Sequence, residues 1–172
     1  MLDAAGGAEL DGLLLASPAN PTGSMLDDAE LARLLDYCRD RGIRYISDEI
    51  YHGISYGGRA VSALEHDDQA LVINSFSKYF SMTGWRLGWM VLPPEMITAV
   101  ERLMQNFFIS APSLSQYAAL AAFDCHAELQ ANVSRYGANR ELLLQQLPRA
   151  GFDKLAPADG AFYIYADVRA LT

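Results

Sequence analysis

Short apolar runs broken by polar turns fill the first half of the chain, and helical stripes take over in the second. The run Leu13-Leu14-Leu15-Ala16 ends at a Pro/Asn/Gly turn and predicts a buried strand over 13–16. Asp27 stands three residues before Glu30, the spacing at which each side chain can hold the other's backbone amide at a helix start. Leu31, Leu34, Leu35 and Cys38 then recur at helical spacing, and Gly42 can adopt the left-handed cap that ends such a helix. Further strands are predicted over 43–47, 71–76 and 87–92. Strands that are apolar throughout suit a sheet buried on both faces, and short helical crossovers imply parallel pairing. The fourth run follows the third too closely for a crossover and is expected to run antiparallel.

Pro93-Pro94-Glu95 opens a helix whose apolar stripe is Met96, Ile97, Val100, Leu103, Met104 and Phe107. Helices are also predicted over 113–123 and 127–147, with Pro148 as the stop, and a strand over 161–166. A domain boundary is expected within 108–135.

Composition narrows the function classes. A chain of 172 residues, 51% hydrophobic and 20% charged, is an ordinary globular mixture able to bury a core. The formal net charge of -8 disfavours nucleic acid and anionic membrane surfaces as partners. Cys38 and Cys125 do not make a disulfide framework and read as reduced, packed thiols, which suits a cytoplasmic setting. No run approaches the length of a membrane span. His52, His66 and His126 are scattered without metal-ligand spacing.

The chemistry concentrates after the strands. Asn20, Asp48 and Lys78 each follow a predicted strand, and the carboxyl ends of parallel strands are where open α/β sheets bind ligands. The stretch from Ser75-Phe76-Ser77-Lys78-Tyr79 to Gly84-Trp85-Arg86-Leu87-Gly88 places a lysine between small hydroxyl residues and an arginine further on. A lysine amine can form a Schiff base, and an arginine can grip phosphate oxygens through paired hydrogen bonds. Together these are the needs of a pyridoxal phosphate enzyme.

With Ser17-Pro18-Ala19-Asn20-Pro21-Thr22-Gly23 and Ser47-Asp48-Glu49-Ile50-Tyr51, the lysine block resembles, in order and spacing, the class I/II aminotransferases, the fold-type-I pyridoxal phosphate enzymes. The resemblance implies an α/β three-layer sandwich with a mostly parallel sheet, followed by the beginning of a smaller α+β domain. It implies that residues 1–120 are the C-terminal part of the cofactor-binding large domain and 121–172 a linker helix and the start of the small domain. Lys78 would carry the Schiff base and move the substrate proton. Asp48 would pair with the pyridine nitrogen, Asn20 and Tyr51 would bond the phenolic oxygen, and Ser75, Ser77 and Arg86 would hold the phosphate. Glu49 reads as structural, and the aromatics of 160–165 read as core.

The implied reaction moves an amino group between an amino acid and a 2-oxo acid, in a cytoplasmic homodimer when full length. A carbon–sulfur lyase of the same fold would keep the same lysine, aspartate and arginine, and a non-catalytic sensor domain of a transcription regulator is a third reading. Whole members of the family are more than twice this long. The chain is therefore expected to be a fragment, poorly active alone, with an unpaired sheet edge and exposed apolar helix faces.

Overall fold

The computed structural model describes residues 10–169. Four strands, β1 (Gly12–Ala16), β2 (Arg44–Asp48), β3 (Leu71–Ser75) and β4 (Gly88–Val91), form one sheet in the order β1-β2-β3-β4. The first three run parallel, and β4 is antiparallel to β3. The helices are α1 (Asp28–Asp40), α2 (Pro94–Phe107), α3 (Ser113–Ala122) and α4 (His126–Gln146). The α/β class and the mostly parallel sheet are those expected from the apolar pattern.

The start of α1 is fixed locally. The Asp27 carboxylate accepts from the Glu30 amide and the Glu30 carboxylate accepts from the Asp27 amide, which satisfies two of the free donors of the first turn. Gly42, just past the helix, has φ 68, a conformation that costs a residue without a Cβ little. Leu31, Leu35 and Cys38 of α1 are buried with Ile43, Tyr45 and Val72 against one face of the sheet, and Leu13 and Leu15 pack beside them. Burial pushes the Cys38 thiol above its ordinary value, with Asp67 adding to the effect, as befits an inert packed thiol.

A second cluster joins Phe76, Met82 and Ala119, with Phe80, Leu87, Ala118 and Ala122 against it. It docks α3 onto the loop that carries Lys78.

The stripe of α2 has the predicted period, and its apolar face is exposed as expected: no residue of α2 is buried, and Ile97, Leu103 and Phe107 are 51, 56 and 78% exposed. Every residue of β4 is exposed too, and Leu14 of β1 lies open on the face opposite α1. The periodicity marks a face built to be covered, and nothing among the described residues covers it. One expectation is corrected: the segment 161–166 is not a strand. Within it only Ala166 makes an isolated bridge, to Leu155, with another from Gly160 to Ser55 just before it, and the backbone turns at Ala161, where φ is 58.

That segment is nevertheless tied down. The amides of Asp159 and Gly160 both donate to the Gly23 carbonyl at 2.9 Å, the Tyr56 amide donates to Asp159 O at 2.7 Å, and the Ala161 amide donates to Ile54 O at 2.9 Å. Arg140 Nε reaches Ala158 O at 2.5 Å. Gly160 has no room for a side chain: a Cβ would lie 2.5 Å from Pro18 Cγ and 2.9 Å from the Ile54 carbonyl oxygen. Gly160→Ala is expected to destabilise the fold by about 2–3 kcal/mol, the cost of overpacking against a proline ring and backbone that cannot swing away. Urea denaturation of the complete polypeptide checks this, and a midpoint equal to the parent's would contradict it.

Candidate active site

The parallel register aligns the carboxyl ends of β1, β2 and β3. Ala16 faces Asp48 and Asp48 faces Ile73, so the turns that follow the three strands leave the sheet side by side. Backbone bonds lock them together, Ser17 N donating to Asp48 O at 3.2 Å and Glu49 N to Ile73 O at 2.9 Å.

Adjacent carboxylates take different parts. Glu49 is buried and accepts from Ser47 Oγ at 3.0 Å, Ser62 Oγ at 3.1 Å and the Ala63 amide at 2.8 Å, with His52 Nδ1 at 3.4 Å. Its lone pairs are spent on the fold, which agrees with the structural role read from the sequence. Asp48, half-buried, accepts from the Ile50 amide at 3.2 Å and keeps its other oxygen available.

Tyr51 lies just beyond. Its ring is 1% exposed, and its hydroxyl meets that of Tyr163 at 2.5 Å. Burial above all pushes the Tyr51 hydroxyl well above the ordinary phenol value, with the Asp48 carboxylate adding to it, so it stays protonated and able to donate.

Lys78 leaves the end of β3 half-buried, with Nζ 5.4 Å from the centre of the Tyr51 ring and 5.9 Å from that of Phe162. Among the described residues it makes no hydrogen bond or ion pair. Lys78 and Asp48 thus flank the same tyrosine.

A folded loop carries Ser75, Ser77 and Arg86. The Phe76 amide bonds Leu87 O at 3.1 Å, Ser75 Oγ accepts from the Ser77 amide at 3.0 Å and donates to Leu87 O at 3.3 Å, and Thr83 Oγ1 donates to Ser77 O at 2.6 Å. Arg86, at φ 51, donates from Nη1 to Thr83 O at 3.0 Å and borders an open cavity of about 590 Å³ with Asn74, Gly88 and Trp89. Asn20 is exposed in the turn after β1, which closes through Gly23 N to Ala19 O at 2.8 Å.

The structure therefore gathers Asp48, Tyr51 and Lys78 at one sheet end, and Ser75, Ser77 and Arg86 in the adjoining loop. It adds two residues that the sequence reading left in the core: Phe162 and Tyr163, whose rings contact Tyr51 at 5.5 and 5.7 Å. Local periodicity carried no signal for them, since Tyr163 meets Tyr51 from 112 positions away. Among the described residues no group of side chains is placed to hold a metal, and no helix is long and apolar enough to cross a membrane.

The sequence profile described as aminotransferase class I and II matches residues 2–172, and the chain belongs to that family. Members of the family are pyridoxal phosphate-dependent enzymes. The valine–pyruvate aminotransferase of Mycobacterium tuberculosis is 49% identical over 96% of this chain and 45% of its own length. A solved structure from Silicibacter pomeroyi, described as a candidate aminotransferase, is 61% identical with a TM-score of 0.92, covering 98% of this chain and 46% of that one. Thermus thermophilus aspartate aminotransferase, solved with maleate, superposes with a TM-score of 0.88 at 30% identity, over 96% of this chain and 44% of that one. The chain spans about half the length of the curated relatives it matches.

Proposed function

We propose that the complete protein carrying this chain is a pyridoxal phosphate-dependent aminotransferase that moves an amino group between an amino acid and a 2-oxo acid, with Lys78 as its catalytic residue. One observation carries the reading above all: a half-buried lysine amine without a hydrogen-bond partner among the described residues, beside the ring of Tyr51 at the end of the sheet where Asp48 stands. An amine held beside aromatic rings and not engaged by the described residues is available to a ligand.

The donor set fits the cofactor. An amine suits its aldehyde, a carboxylate its ring nitrogen, a buried phenol its phenolic oxygen, and hydroxyls with a guanidinium its phosphate. When bound, the cofactor supplies a carbon that takes the amino group and a ring that spreads the electron pair left at the substrate Cα. Lys78 Nζ takes up the proton that leaves that Cα and hands it on. Asp48 favours the protonated state of the ring nitrogen. Asn20 and Tyr51 donate to the phenolic oxygen. Ser75, Ser77 and Arg86 hold the phosphate, Arg86 by a paired contact that a lysine could not make.

In the same reading, residues 1–120 belong to the large domain and 121–172 open the small one. The complete protein acts as a cytoplasmic homodimer on the strength of the resemblance.

The test uses the complete polypeptide loaded with pyridoxal phosphate, reduced with borohydride, digested and analysed by mass spectrometry. The pyridoxyl mass is expected on Lys78. A label on another lysine, or none, would overturn the assignment. Incubation with a panel of amino acids and 2-oxo acids then separates the reactions: a new amino acid marks transfer, whereas pyruvate with ammonia marks a lyase.

A further inference from the structure

We propose that Tyr163 is a positioning residue of this site, which holds the Tyr51 hydroxyl by hydrogen bond and makes it a stronger donor toward the cofactor's phenolic oxygen. The inference rests on the cofactor reading above and extends it to a residue outside the motif.

The geometry leaves few choices. Tyr51 has one hydroxyl hydrogen, and its oxygen lies 2.5 Å from that of Tyr163. If Tyr51 spends its hydrogen on a ligand, the bond between the two phenols survives only with Tyr163 donating. The order is then Tyr163 to Tyr51 to ligand, a chain in which each bond polarises the next. Tyr51 cannot turn away, because its ring is sealed between the edges of Phe162 and Tyr163, with interplanar angles of 79° and 75°. The other charged groups that face it are the Asp48 carboxylate and the Lys78 amine.

Tyr163 is held in turn. The Ala161 amide bonds Ile54 O, and Tyr56 donates its hydroxyl to Ala161 O at 2.7 Å. Ile54 and Tyr56 follow Tyr51 closely in the chain, so one short stretch supplies both the donor and the anchors of its partner. A tyrosine kept for packing alone would need no such alignment of its oxygen.

Phenylalanine at 163 keeps the ring and removes only the hydroxyl. The experiment follows the visible absorbance of the cofactor on the complete polypeptide against pH, for the parent, Y163F, Y51F and the double variant. A donor at the phenolic oxygen favours the deprotonated chromophore, so losing it raises the pH midpoint. Y163F is expected to raise the midpoint by roughly 0.3–1 unit, less than Y51F does. In the Y51F background, Tyr163→Phe is expected to add nothing, because its effect passes through the Tyr51 hydroxyl. An unchanged midpoint in Y163F, or an equal shift with and without Tyr51, would overturn the inference while leaving the cofactor reading intact. A parent protein with no visible band would overturn both.

Discussion

Lys78→Ala is expected to reduce amino-group transfer by the complete protein at least about 10⁴-fold, because it removes the covalent anchor and the proton carrier together. The fold should survive. Lys78 makes no hydrogen bond or ion pair among the described residues, and its contacts are the ring faces of Tyr51 and Phe162. Alanine also tolerates the turn, and the loop is closed by backbone bonds that do not use the side chain, Ser81 N to Lys78 O and Met82 N to Phe76 O, each at 3.0 Å. The cofactor should still bind through the other donors, without the covalent link. Single-turnover kinetics, with the borohydride label lost from position 78, checks both statements. Activity within tenfold of the parent would remove the lysine from the chemistry.

The choice of lysine in that prediction is legible in the sequence. The strand–turn order that brings Asn20, Asp48 and Lys78 to one sheet end is readable because each strand is a short apolar run and each turn has its own polar punctuation. The Asp27–Glu30 cap and the antiparallel β4 are readable for the same reason: they depend on neighbours within a few positions. What escapes is set at long range. The stripe on α2 announces a face to be buried, but periodicity does not say where the partner lies, and none of the described residues covers it. The alternation over 161–166 looks like a strand, yet a clamp built from Gly23, Ile54 and Tyr56 bends it at Ala161. The same clamp turns Phe162 and Tyr163 from presumed core residues into the wall beside Lys78. A local pattern has no access to a contact between residues 51 and 163.

Asp48→Asn tests the electrostatic half of the site with the least structural disturbance. The amide has nearly the shape of the carboxylate, and its oxygen can still accept from the Ile50 amide, the one hydrogen bond this side chain makes in the turn. The backbone of residue 48 remains paired on both sides, with Ala16 and Ile73. Glu49 cannot take over, because it is buried with Ser47, Ser62 and Ala63 bonded to Oε1 and His52 beside Oε2. Only the negative charge is lost, and with it the preference for a protonated ring nitrogen. Removing one preorganised electrostatic partner costs roughly 10²–10³-fold in other active sites. Asp48→Asn is therefore expected to lower kcat by about that factor, with a much smaller change in stability and with Lys78 still labelled by borohydride. If the variant unfolds, or loses the label as well, Asp48 belongs to the framework of the strand end. If kcat falls while label and fold persist, its charge works on the ring.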